Sequence, residues 1–179
     1  MKHKSDFRWI ISIVGISIAT SMAFSLISSE ILDGAGYAVA FILLFLFILI
    51  GVVFDAIGVA VTSAEETPFH SMASHKETGA TEALRLLRRA ERVSSICNDV
   101  IGDICGIISG ATAAVIAGNL MGDLGFSGTV MQLLVTGTVA GLTIGGKAAG
   151  KASAINNSTK IVLMTGKTIA FIRRPFAKK

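Results

Sequence analysis

The chain has 179 residues, 52% of them hydrophobic and only 16% charged, with a formal net charge of +4. Soluble domains run closer to a quarter charged, so this composition and a mean hydropathy of +0.70 exclude an ordinary water-soluble domain. In so apolar a chain the basic excess is expected on cytoplasmic segments rather than on a nucleic-acid surface.

Residues 1–8 form a short basic head, and 9–27 the first apolar run, about long enough to cross a bilayer core that needs roughly 20 residues. This run is longer than the apolar region of a signal peptide, so a retained span is expected, with Gly15, Ala19 and Ala23 as a small-residue packing face. A short loop follows, carrying Glu30 and Asp33 and no basic residue. The second span covers 37–62; Asp55 interrupts its apolar run and shares a helical stripe with Gly51, Gly58 and Thr62.

Residues 63–96 are the one extended hydrophilic segment. Thr67-Pro68 reads as a helix start, N-cap then proline, and Gly79 as a break. Residues 80–92 read as a second helix with Ala83, Leu84 and Leu87 on one side. Arg85, Arg88, Arg89 and Arg92 make its basic side, so the pair is expected to form a hairpin along the cytoplasmic membrane surface. The third span covers 98–120; after a turn containing Asp123, the fourth covers 129–146, with Lys147 and Lys151 still in helical register. Asn156-Asn157-Ser158 is a break, and the juxtamembrane tail 156–179 holds a mildly amphipathic helix ending in Arg173-Arg174-Pro175 and Lys178-Lys179.

With both termini cytoplasmic, every Lys and Arg falls in the head, the central segment or the tail, which satisfies the positive-inside rule. The expected architecture is all-α: a polytopic integral membrane bundle of about four transmembrane helices, with a cytoplasmic juxtamembrane hairpin and a C-terminal amphipathic helix. It is read as a single transmembrane domain over 1–179, located in the plasma or inner membrane.

The polar groups inside the spans are the candidate site. A carboxylate at bilayer depth costs roughly 2.5–3.5 kcal/mol on insertion scales unless it is answered. Asp99 and Asp103 stand one helical turn apart on a face that also holds Gly106 and Gly110. Asp55, Asp99 and Asp103, from two spans, lie toward the cytoplasmic ends, level with Lys147 of a third, and Asn98, Thr62, Ser63 and Thr143 add oxygen atoms nearby. Oxygen-only ligand sets suit hard cations such as Mg²⁺, bound through one or two carboxylates and retained water. Asp55, Asp99, Asp103 and Asn98 are therefore the candidate metal ligands, with Mg²⁺ as ligand or substrate, no organic cofactor, and Lys147 as the charge that fills an empty site.

The competing reading is structural: Asp55 or Asp103 pairs with Lys147 and joins the helices in a non-transporting scaffold or accessory subunit. Asp99 also suits the N-terminal end of its helix. Gly102, Gly106 and Gly110, and Gly137, Gly141 and Gly145, repeat every four residues and point to close helix packing and a homodimer. Cys97 and Cys105 read as small buried residues, and His3, His70 and His75 as solvated. No nucleophile elbow, phosphate loop or zinc-protease motif is present, and the contexts of Asp55 and Asp103 lack those of an intramembrane aspartyl protease, so the chain is not read as an enzyme. Arg85, Arg88, Arg89, Arg92, Arg173 and Arg174 suit anionic lipid or a cytoplasmic partner.

Across 38–174, the order of span, basic hairpin, span, short turn, span and juxtamembrane helix resembles the cyclin M/CorB-type transmembrane domain. Phe54-Asp55-Ala56-Ile57-Gly58-Val59-Ala60-Val61-Thr62-Ser63 stands where that family has a pattern like F-S-A-S-E-x-A-L-x-S, and Thr143 to Lys151 where it has G-E-x-x-P-K. The resemblance implies a homodimer concerned with Mg²⁺ export or transport. Ile57 and Gly58 replace the family's serine and glutamate, the exit motif's glutamate and proline are absent, and Asp55, Asp99 and Asp103 are additional acids. The regulatory modules that commonly follow that membrane domain have no counterpart within 1–179.

Overall fold

A computed structural model describes residues 2–32, 36–124 and 128–173. Asp33, Arg174, Pro175, Lys178 and Lys179 lie outside the described residues, as do the side chains of His3 and Asp123. Among the described residues there is no strand. The elements are α1 (Lys2–Leu32), α2 (Tyr37–Ser63), α3 (Thr67–Ser74), α4 (Ala80–Leu87), α5 (Ala90–Ser95), a π-helical run (Ile96–Gly102), α6 (Asp103–Leu124), α7 (Gly128–Asn156) and α8 (Ser158–Arg173). Four helical stretches are long and apolar enough to cross a membrane: Trp9–Leu26, Tyr37–Ser63, Ala90–Leu120 and Gly128–Asn156. The all-α membrane architecture expected from hydropathy is thus the one observed.

The chain divides into two compact units, Met1–Val52 with Val100–Gly146, and Val53–Asp99 with Lys147–Lys179. In the first unit, Phe47 of α2 is buried with Ile104, Cys105 and Ile108 of α6 and with Val100. Ala40 and Leu44 of α2 pack with Ala113 and Ile116 of α6 and Val139 of α7. Close approach of α2 to α6 depends on Gly51, where a Cβ would stand 3.1 Å from Cys105 Cβ. Phe24 of α1 meets Phe47 edge-on with ring centroids 6.0 Å apart. Ile42, Phe45, Leu133 and Ile144 point outward and are largely exposed, which suits contact with lipid chains and not with water.

The second unit is built on a core of Ala60 and Val61 (α2), Phe69 (α3), Ala83, Leu84 and Leu87 (α4), Ala154 (α7) and Val162 (α8). Gly79 has φ 87°, the left-handed backbone that breaks the hairpin. It also lies hard against α8: a Cβ there would stand 2.5 Å from the Lys167 backbone nitrogen, and one on Gly166 would collide with the Gly79 carbonyl oxygen. Lys167 Nζ donates to Glu77 Oε1 at 3.1 Å beside this crossing.

Local details depart from expectation. Thr67 is not the cap: Glu66 holds that position, no side chain caps the helix, and Thr67 and Pro68 open its first turn. The helix expected over 80–92 is two, because the buried stripe Ala80, Ala83, Leu84 and Leu87 ends at Leu87. Arg89, at φ −125° and ψ 29°, then turns the chain into α5, which buries no side chain. The third span opens as a π-helix, not as an α-helix. The fourth runs ten residues past 146, as α7 ends at Asn156 and α8 restarts at Ser158.

Candidate functional site

Asp55 sits on the buried side of α2, only 3% exposed. Lys151 reaches it from α7, with Nζ 3.5 Å from Asp55 Oδ2 and half of the lysine side chain exposed. That separation is long for a charge-assisted hydrogen bond, and among the described residues no donor gives Oδ2 a hydrogen bond. The carboxylate is compensated electrostatically and incompletely satisfied.

One turn along the same helix face, Gly58 leaves room for the Asn98 side chain: a Cβ on Gly58 would collide with Asn98 Oδ1 and stand 2.8 Å from its Cγ. Asn98 is delivered there by the π-helical run. Its Nδ2 donates to Ser94 Oγ at 3.3 Å, while Oδ1 is buried without a hydrogen bond. Two oxygen acceptors, one anionic and one neutral, are thus buried and unmet within one compact unit. A buried acceptor left without a donor costs about 1–3 kcal/mol, so a ligand that answers it is favoured by that amount.

The other candidates are arranged differently. Asp99 shares the π-helical run with Asn98 but is exposed, and Asp103, also exposed, begins α6 in the other unit. Lys147 is half-buried, one turn before Lys151 on α7. Thr62 Oγ1 donates to the carbonyls of Val59 and Gly58, and Thr143 Oγ1 to that of Val139. Both hydroxyl protons are therefore committed to their own helices. Among the described residues, no three His, Cys, Asp or Glu side chains are grouped as a metal ion would need. His70 is exposed beside Glu66, at 3.5 Å, and Cys97 and Cys105 are buried and not joined in a disulfide.

Lys151 is the site residue that sequence reasoning passed over. Its signal was present, since it lies four residues after Lys147 on a helix that continues beyond the apolar run. The Gly58–Asn98 contact had no signal beyond glycine on the Asp55 stripe. Comparison of the chain with family models, with curated proteins and with solved structures gave no match.

Proposed function

We propose that this multi-pass membrane protein binds a hard divalent cation, Mg²⁺ being the species of choice, through Asp55 and Asn98. The observation that carries this reading is the pair of buried, unmet oxygens beside a lysine that is itself half exposed. Mg²⁺ takes one or two carboxylates and keeps several waters, so a site of one carboxylate, one amide oxygen and solvent is sufficient in kind. Lys151 then serves as the resident positive charge of the empty site, and its long flexible stem lets it withdraw to water when a cation arrives. Asp99, an exposed acid next to Asn98 on the same π-helical run, joins by concentrating cations near the entrance. The resemblance to cyclin M/CorB-type membrane domains supports the same ion, transported by a homodimer with both termini in the cytoplasm.

Mg²⁺ titration of the detergent-solubilised full chain by calorimetry tests this reading, with flux into proteoliposomes as the transport assay. Lys151→Ala is expected to raise Mg²⁺ affinity, and Asp55→Asn to abolish binding and uptake. Unchanged Mg²⁺ binding in Asp55→Asn and Asn98→Ala would sink the proposal.

The ion pair also favours a second reading, in which Asp55 and Lys151 join α2 to α7 in a scaffold or accessory subunit. A double-mutant cycle with the charges exchanged separates the two. Recovery of stability in Asp55→Lys/Lys151→Asp, without Mg²⁺ binding in the wild type, supports the structural role.

A further inference from the structure

The glycine crossing in the second unit has a neighbour with its own chemistry. Because α8 meets the hairpin at Gly166, its residues three and seven positions on, Ile169 and Arg173, continue along the same helical face. There they close a cleft of about 630 Å³ against α4 and α5. Arg85, Arg88, Arg89 and Arg173 supply its charge, and Leu86, Val93 and Ile169 its apolar lining. Glu82, the remaining lining residue, meets Arg85 Nη1 at 3.4 Å. Among the described residues, Arg88, Arg89 and Arg173 have no ion-pair partner, so the cleft carries three uncompensated guanidinium groups.

Guanidinium groups match phosphate oxygens with paired hydrogen bonds, and an apolar lining beside them suits an amphiphile more than a bare anion. Sequence position decides the source. Arg89 directly precedes the helical stretch Ala90–Leu120, whose later part is apolar enough to cross a membrane, so the cleft is tethered a short way before a membrane span. We propose that this cleft binds the phosphate of an anionic phospholipid headgroup, with the glycerol and upper acyl carbons against Leu86, Val93 and Ile169. The site is independent of Asp55 and of any cation bound there.

The test is native mass spectrometry of the intact chain released from micelles containing equal amounts of phosphatidylglycerol and phosphatidylcholine with matched acyl chains. Phosphatidylglycerol is expected to be retained selectively, and each of Arg88→Gln and Arg173→Gln to cut that selectivity about fivefold, as one charge near an anionic headgroup does. Both arginines are exposed, so neither change removes a core contact. Lys76→Gln/Lys160→Gln, which removes two exposed charges outside the cleft, is expected to leave selectivity intact. Equal retention of the two lipids overturns the proposal even without variants. So does selectivity that survives both arginine changes or falls equally in the lysine variant. Displacement of the lipid by millimolar glycerol phosphate would instead assign the cleft to a soluble phosphate and defeat the lipid assignment.

Discussion

Glycine serves the two units differently: the closest approaches are in the second, although Gly51 of the first also stands where a Cβ would come to 3.1 Å from Cys105 Cβ. In the second, Gly79 and Gly166 press backbone on backbone, and Gly58 admits the Asn98 side chain; a methyl group at any of the three would collide. In the first, a Cβ on Gly106, Gly110, Gly137, Gly141 or Gly145 meets nothing within 4 Å among the described residues. These are the very stripes whose four-residue spacing suggests helix packing. Spacing therefore identifies a face on which a backbone can approach, while the approach itself is decided by what the rest of the chain brings there. Within the chain, the closest backbone approach forms between the hydrophilic hairpin and α8, and the open stripes of α6 and α7 leave room for lipid or a second copy.

The largest expected effects come from breaking that contrast directly. Gly79→Ala and Gly166→Ala should each destabilise the fold by roughly 3 kcal/mol, through overpacking against backbone and, at Gly79, a strained positive φ. Gly106→Ala and Gly141→Ala should cost less than about 0.5 kcal/mol in monomer stability, as substitutions away from contacts do. Thermal unfolding in detergent would read both, and equal losses at open and closed glycines would erase the distinction. If the open stripes hold a second copy, Gly141→Ala alters the monomer–dimer equilibrium while leaving that unfolding temperature in place.

A smaller and asymmetric effect is expected at the buried pair. Lys151→Ala leaves the buried Asp55 carboxylate without its counter-charge and should cost about 1–2 kcal/mol in Mg²⁺-free buffer, less than for a fully buried pair because Lys151 is half exposed. Asp55→Asn should cost less, since the ammonium can turn to water. The Lys151→Ala loss should be restored by millimolar Mg²⁺ if the cation replaces the lysine; persistence of the loss favours the structural pair. The smallest effect belongs to Glu77→Gln, whose ion pair with Lys167 is exposed at both ends. Its removal should change stability by no more than about 1 kcal/mol, measured in the same unfolding assay and diminished by salt.

How much of this was legible depends on the length scale of each signal. The spans were, because a run of about 20 apolar residues has few alternatives, and each of the four observed stretches contains or overlaps a hydropathic one, the third starting earlier and the fourth ending later. The break at Gly79 and the restart after Asn156 were also readable, since glycine and paired asparagines punctuate a helix locally. The partner of Asp55 was not, because it depends on how far α7 continues past its apolar run and on which lysine then faces α2. Nor was the Gly79–Gly166 crossing, between residues 87 positions apart in sequence with no shared pattern. Arg85, Arg88 and Arg89 announced a basic side. That Arg173 joins them required the crossing first.

The π-helical run from Ile96 to Gly102 also has a meaning for chain length. Its hydrogen bonds span five residues where an α-helix spans four, so each ring holds one residue more. A sequence shortened by one residue there could close up as an ordinary α-helix and still enter the bilayer. The turns on either side would then keep their relative orientation, because the wide turn gives up only the one residue that it holds in excess. If the run straightened into an α-helix at unchanged length, the residues before it would turn by about 100° relative to those after it, and Asn98 would leave Gly58. The wide turn is thus what sets the angle of one amide, and straightening it would keep the span while losing the Asn98 contact.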